Sequence, residues 1–352
     1  MRIRAADTPL PNGYHEDVNT RLSKPPSIAR QHPVARRVIA SWRRLHADPE
    51  AVTLVACSGG ADSAALLLSL AAATDRLVVG CVLHDMRPVE VVEAEAARVR
   101  SLAASLGVPY DERRVVTGGS GAEGPARQAR YSALLEMAAA HDATSIATGH
   151  HADDQFESVI MGLLRGGGPA ALAGVAPRRM LDEHIALIRP MLDVTRDETI
   201  ELCATAGWEP CDDATNHATD RLRAALRHGP LRDIRVIRPD APAHASRTAR
   251  LMADLDGLLD DVAGAVFGED TAWARAELRG QREVVIAAGL RRAAVRLLGG
   301  LGADRIGGRN IDPVVRAVKD DSTEPRQFEW FGGVRVDVTA STVSMHRIND
   351  DG

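Results

Sequence analysis

The feature that most constrains this chain is a regular alternation of short apolar runs with Ala/Leu-rich helical stretches between residues 51 and 164. AVTLVAC (51–57) reads as a buried parallel strand, followed by a glycine turn, a helix over about 62–73, the strand LVVGCVL (77–83) and a helix over about 90–106. The order repeats with RRVV (113–116), a helix over about 126–140, the strand TSIAT (144–148) and a helix over about 153–164. Strands that alternate with helices pair in parallel through right-handed crossovers, so the spacing predicts a Rossmann-like α/β sheet with helices on both faces. Beyond about residue 240 the alternation stops. Leu/Ala/Arg-rich stretches at 246–264 and 283–298 precede FEWFGGVRVDV and STVSMHR, which predicts a smaller, mostly helical domain ending in a β-hairpin. Residues 1–34, rich in Pro, Arg, Asn and Asp without periodicity, read as a mobile extension, which leaves 35–240 for the α/β domain and 241–352 for the small one.

Length and charge narrow the function classes. A chain of 352 residues, 45% hydrophobic, is long enough for both domains. A net charge of -5 and a pI near 6.2 do not fit a general binder of phosphate backbones, so any RNA surface must be local. One such region exists: between 220 and 250 there are eight arginines against three aspartates, although a solvated helix face and linker would have the same composition. Cys57, Cys81, Cys203 and Cys211 form no C-x-x-C pair, which argues against a zinc site, an iron–sulfur cluster or a disulfide framework. No uninterrupted apolar run of about 18 residues is present, so a cytoplasmic protein without a membrane partner is expected.

The turn after the first strand carries the first chemical signal. Cys57-Ser58-Gly59-Gly60-Ala61-Asp62-Ser63 lies between a buried strand and a helix start, where unpaired N–H groups and the positive end of the helix dipole favour a phosphate. Gly59 and Gly60 permit positive φ and close backbone approach, and Ser58 and Ser63 can add hydroxyl donors. The lysine of a G-x-x-x-x-G-K-[ST] loop is missing, and Asp62 would repel phosphate unless it helped hold a divalent cation. A Mg2+–pyrophosphate arrangement resolves that conflict; a plain strand–helix turn capped by Asp and Ser is the alternative.

The second signal is Thr148-Gly149-His150-His151-Ala152-Asp153-Asp154-Gln155-Phe156-Glu157-Ser158, a strand end feeding a helix at the ligand-binding edge of such a sheet. Asp154 and Glu157 are three apart and share a helical face, so they could grip an ammonium or a metal ion. Zinc is disfavoured because the histidines are not spaced i, i+4 and no Cys or third His is near in sequence. A buried His150 with Asp153 as a helix cap is the structural alternative.

S-G-G-x-D-S resembles the signature of the PP-loop ATP pyrophosphatases, which cleave ATP between the α and β phosphates. The G-H-H-x-D-D-Q-x-E-S segment is similar to that of tRNA(Ile)-lysidine synthetases, and the likeness continues at Leu164-Arg165-Gly166-Gly167-Gly168, Arg189-Pro190-Met191-Leu192, Pro125 to Tyr131 and His84-Asp85-Met86-Arg87. It extends to Trp208-Glu209-Pro210-Cys211-Asp212-Asp213-Ala214-Thr215-Asn216 and Arg223-Ala224-Ala225-Leu226-Arg227-His228. It covers roughly 50–235; Asp85, Ala214 and Ala224 stand where the family has Gly, Pro and Asn.

The resemblance implies an adenine nucleotide alpha hydrolase-like fold, ATP and Mg2+ as cofactors, and a tRNA(Ile) with a CAU anticodon as partner. The implied reaction joins L-lysine to C2 of the wobble cytidine through an adenylated intermediate, forming lysidine. By motif, Ser58, Gly59, Gly60, Ala61, Asp62 and Ser63 would hold ATP, with Asp62 also on its Mg2+. Arg130 and His150 would stabilise charge beside the phosphates. Asp154 and Glu157 would bind lysine, one carboxylate taking the amine proton, so that Asp62, Arg130, His150 and Asp154 form the catalytic set. Arg223 and Arg227 would face the tRNA, and the small C-terminal domain would help bind it. A homodimer is left open. Two alternatives are a PP-loop tRNA thiolase, for which only Cys57 beside the loop speaks, and a PP-loop-derived RNA-binding protein without catalysis.

Overall fold

A computed structural model describes residues 31–46, 48–85, 87–116, 123–211, 221–300 and 305–348. Residues 1–30 of the expected extension, Met86 and the stretch from Asp212 to Asn216, with its departure at Ala214, lie outside the described residues. In chain order the elements are α1 (Pro33–Leu45), β1 (Val52–Ala56), α2 (Ala61–Ala71), β2 (Leu77–His84), α3 (Val89–Leu106), β3 (Tyr110–Val115), α4 (Glu123–Ala140), β4 (Ala143–Ala147), α5 (Ala152–Leu164), the single turn α6 (Pro169–Leu172), β5 (Arg178–Met180), β6 (Ala186–Ile188) and α7 (Arg196–Ala206). Then follow α8 (Arg221–His228), α9 (Pro230–Ile237), α10 (Ala241–Phe267), β7 (Ala272–Ala274), α11 (Arg275–Gly280), α12 (Glu283–Leu297), α13 (Gly308–Lys319), β8 (Arg326–Trp330), β9 (Val334–Val338) and β10 (Thr342–Arg347). Contacts divide the chain into two compact units. One comprises Met1–Gly149, Met180–Leu187 and Thr199–Asp213; the other comprises His150–Arg179, Ile188–Glu198 and Ala214–Gly352.

The alternation read from the sequence becomes a six-stranded sheet of order β3-β2-β1-β4-β6-β5. β1 pairs in parallel with β2, Leu54 opposite Val78, and with β4, Leu54 opposite Ile146. β1, β2 and β3 step outward in one direction and β4 lies on the other side of β1. The carboxyl edge between β1 and β4 is therefore a topological switch point, where open α/β sheets leave room for ligands.

Within the first unit, α2 is buried from Ser63 to Leu70 because it packs against both β1 and α1, so it has no polar face to show. α1 turns Val34, Ala35, Val38, Ile39 and Trp42 inward. Its end is tied down by polar contacts: Trp42 Nε1 donates to Thr53 Oγ1 at 3.2 Å, and the two ring nitrogens of His46 lie 3.0 Å from Ser145 Oγ and 3.1 Å from the Ala51 carbonyl. Burial pulls the His46 pKa below its ordinary value, against the Ala51 hydrogen bond and the Asp48 charge.

In the second unit, Phe156 and Met161 of α5 pack with Leu226 of α8, Leu231 of α9 and Ala245 of α10. The C-terminal part holds a separate core of Phe267, Trp273, Ile286, Leu290, Val314, Val336 and Val343, among others. α12 passes so close to Phe267 that a Cβ on Gly289 would sit 2.2 Å from its ring. The expected hairpin is part of a four-stranded antiparallel sheet of order β7-β10-β9-β8. FEWFGGVRVDV supplies two of its strands, because Gly332 and Gly333 take positive φ and reverse the chain between them. Arg275, 4% exposed, fastens this part: its guanidinium donates to the carbonyls of Ala317, Val318, Asp320, Ser322 and Thr339 and to the Asp320 carboxylate.

Candidate active site

The loop after β1 turns on Gly59, whose φ of 86° is one that side chains resist. A Cβ there would meet Cys211 Sγ at 3.0 Å, and Cys211 N donates to the Gly59 carbonyl at 3.0 Å, so the turn has both a conformational and a packing reason for glycine. Gly60 is the N-cap of α2 and brings no side-chain cap. The first-turn N–H groups of Ala61, Asp62 and Ser63 thus make up the positive end of the helix without a capping side chain on Gly60, which suits an anion. Ser63 is folded into the loop: its hydroxyl donates to the Gly60 carbonyl at 3.1 Å and accepts the Ser58 N–H at 3.2 Å, with Ser58 Oγ at 3.4 Å.

Asp62 sits on the first turn of α2 and accepts a hydrogen bond from Thr199 Oγ1 at 2.6 Å. Gly149, the residue before the paired histidines, closes on the same turn. A Cβ on it would lie 3.0 Å from Asp62 C and Ser63 N, so β4 delivers its end directly against the loop. Gly149, Thr199 and Cys203 stand at this turn without an expected role. The glycine in front of the histidine pair was the available signal for the first; nothing in the sequence flagged the other two.

His84, at the end of β2, has its pKa pulled below the ordinary value, first by burial and then by the charges of Arg87 and Arg130. Arg87 is held by a two-pronged ion pair with Glu95, at 2.7 and 2.6 Å. Arg130 is exposed on α4, and its charge disfavours protonation of His84. All four cysteines are free and buried; burial pushes the Cys57 thiol up, and Cys81 and Cys203 up to about 12.

The second unit contains the acidic helix. His151 is the N-cap of α5: its Nδ1 accepts the Asp153 N–H at 3.2 Å, while Asp154 Oδ2 accepts the His151 N–H at 2.9 Å, a capping box built from a histidine and an aspartate. Asp153 also accepts the Arg196 N–H at 2.9 Å and lies 3.0 Å from Arg235 Nη1. Burial pushes the Asp153 carboxyl up, but His151, the Arg196 amide and Arg235 together outweigh it and leave it below its ordinary value. His150, which precedes the cap, is partly buried.

Asp154, Glu157, Arg223 and Arg227, expected to serve different ligands, come together. Glu157, 4% exposed, takes both prongs of Arg227, with Nη2 at 2.8 Å, and has Arg223 Nε at 3.5 Å. Arg227 Nη2 is also 3.7 Å from Asp154 Oδ1. The physical reason is charge: a carboxylate buried this deeply needs a permanently ionised partner, and α8 supplies one each turn. Among the described residues no group of three His, Cys, Asp or Glu is arranged to hold a metal ion by itself. A cation at Asp62 would therefore share its shell with phosphate oxygens, the usual habit of Mg2+.

A family model described as a PP-loop domain matches residues 33–233. Among curated proteins, the chain is 40% identical to a tRNA(Ile)-lysidine synthase of Bordetella bronchiseptica over 257 residues, covering 69% of this chain and 73% of that one. It is 40% identical to one of Salinispora tropica, covering 62% and 67%. It is 34% identical to one of Thermobifida fusca over 323 residues, covering 89% and 93%. Among solved structures, it is similar in fold to a U34-tRNA thiolase from Methanococcus maripaludis, with a TM-score of 0.51 at 17% identity over 62% of this chain and 78% of that one.

Proposed function

The chain belongs to the PP-loop domain family and, within it, to the tRNA(Ile)-lysidine synthases, and from that premise we propose that it joins L-lysine to C2 of the wobble cytidine of a tRNA(Ile) with a CAU anticodon, at the expense of ATP. The observation that carries this reading is the loop after β1, with left-handed Gly59, a cap at Gly60 that has no side chain, and Asp62 in the first turn of α2. Among the described residues no helix is long and apolar enough to cross a membrane.

A ring carbonyl oxygen is a poor leaving group, so the chemistry takes two steps. The cytosine O2 attacks the α-phosphorus of ATP and pyrophosphate departs. The neutral ε-amine of lysine then attacks C2, the amine loses a proton and AMP leaves with the oxygen. Backbone N–H groups of residues 59–63 hold the phosphates, and Ser63 keeps the loop in shape by its bonds to Ser58 and Gly60. Asp62 and the phosphates together would hold Mg2+, which offsets charge on the departing pyrophosphate. Arg130 and His150 add donors for the same charge, and His84, kept neutral by its surroundings, can donate a hydrogen bond without adding repulsion to the nearby arginines. On α5, Asp154 receives the ε-ammonium of lysine and accepts its proton, while Glu157, taken up by both prongs of Arg227, adds its negative charge to the lysine site. Arg223 and Arg227, locked against the same carboxylates, match the carboxylate of the free amino acid and leave an arginine-rich surface for tRNA phosphates.

The test is incubation with ATP, radiolabelled lysine and total tRNA, followed by nucleoside analysis. Label in a modified cytidine is the expected result. ATP turnover with no label in any nucleoside contradicts the ligase, and a sulfur-bearing nucleoside after supply of a sulfur donor would transfer the reading to a thiolase. Asp62→Ala is expected to abolish lysine-independent adenylation of the tRNA while tRNA binding stays within twofold; equal loss of both would contradict the role given to Asp62.

A further inference from the structure

Asp62 is gripped from outside its own helix. Thr199 and Cys203 are four apart on α7, hence on one face, and both reach the start of α2. Thr199 Oγ1 donates to Asp62 Oδ1 at 2.6 Å, and Cys203 Sγ donates to the Ala61 carbonyl at 3.4 Å. Both residues are 0% exposed. The backbone of Gly149 also abuts Asp62 and Ser63. The backbone of the turn is thus clamped, and the one side chain on it with a charge accepts a hydrogen bond from a buried hydroxyl.

We propose that Thr199 is a positioning residue: its hydroxyl fixes the Asp62 carboxylate in the orientation that receives the Mg2+ of Mg·ATP. This rests on the reading of Asp62 given above. At 2.6 Å the contact is in the range of charge-assisted hydrogen bonds, about twice as strong as neutral ones. A carboxylate next to a polyphosphate is repelled and tends to swing away, and a donor aimed at one of its oxygens holds it in place. Cys203 donates to the carbonyl of Ala61, the residue before Asp62, and so adds a second tether to the same turn. Thr199 lies outside every segment that carried the family likeness, between the R-P-M-L and tryptophan segments.

The test compares the full-length enzyme with Thr199→Val, which keeps the shape and deletes the hydroxyl, Thr199→Ser, which restores it, and Asp62→Asn. ATP binding is measured by calorimetry across a Mg2+ titration, alongside tRNA binding and thermal unfolding. Thr199→Val should raise the Mg2+ needed for half-maximal ATP binding roughly tenfold, the scale of one hydrogen bond to a charged group, with tRNA affinity unchanged. Thr199→Ser should lie within about twofold of the parent. If the valine variant does not fold, Thr199→Ala against Thr199→Ser makes the same comparison. Parental Mg2+ dependence in Thr199→Val, or an equal defect in the serine variant, overturns the assignment of Thr199. Unaltered Mg2+ dependence in Asp62→Asn overturns instead the reading of the loop as the Mg·ATP site.

Discussion

Glu157 is the residue whose surroundings say most about the chemistry of α5. It is almost wholly buried, and Arg227 and Arg223 are its counterions. Removing the guanidinium strands a buried charge, so Arg227→Ala should cost about 2–4 kcal/mol, below the full range for isolated buried pairs because Arg223 remains; chemical denaturation measures it. Glu157→Gln keeps the shape and removes the charge. It should raise the lysine concentration for half-maximal labelling at least tenfold while ATP binding stays unchanged, and a parental lysine requirement would remove Glu157 from the lysine site. Asp153 makes a pH prediction. Its folded pKa is below the unfolded value of about 3.9, so the stability it contributes is complete above that value and is lost as pH falls through the lower, folded one. Acid unfolding of Asp153→Asn should therefore show a shallower loss of stability below about pH 4 than the parent.

At the scale of elements, one contact seats the end of β4 against the loop and another fastens the end of α1. Gly149→Ala would drive a Cβ into the backbone of Asp62 and Ser63, atoms that cannot swing aside as a side chain can. Pyrophosphate release should fall at least tenfold while global stability drops by only about 1–3 kcal/mol; activity within twofold of the parent would show that the loop tolerates the shift. α1 depends on His46 staying neutral between Ser145 and Ala51. Its folded pKa is below the unfolded value of about 6.5, so its contribution is complete above that pH and fades as pH falls through the folded value. The stability of His46→Gln should accordingly depend less on pH below about 6.5, by denaturant unfolding. Most of these elements were legible, because β1, β2, β4, α2 and α5 announce themselves by apolar period. β5, β6 and β7 are three residues each, too short to hold a period, and α13 is hidden by Gly307, Gly308 and an internal Pro313 that only its buried face overrides.

At the scale of the whole molecule, one buried side chain ties together α11, α13 and the small sheet. Arg275→Met would leave five backbone carbonyls without their donor, and a loss of about 3 kcal/mol or more is expected, seen as an early unfolding transition that leaves ATP binding in place. What the sequence by itself determined is the order of strands and helices, the phosphate loop and the family, since these depend on local period, on glycine freedom and on motifs that are contiguous in the chain. Only the tertiary structure decided which side chains meet. Thr199 reaches Asp62 across 137 positions, Arg227 reaches Glu157 across 70, and Arg275 gathers carbonyls from residues 317–339. Such pairings are set by the packing of elements distant in sequence, and neither partner carries a local sign that the other exists.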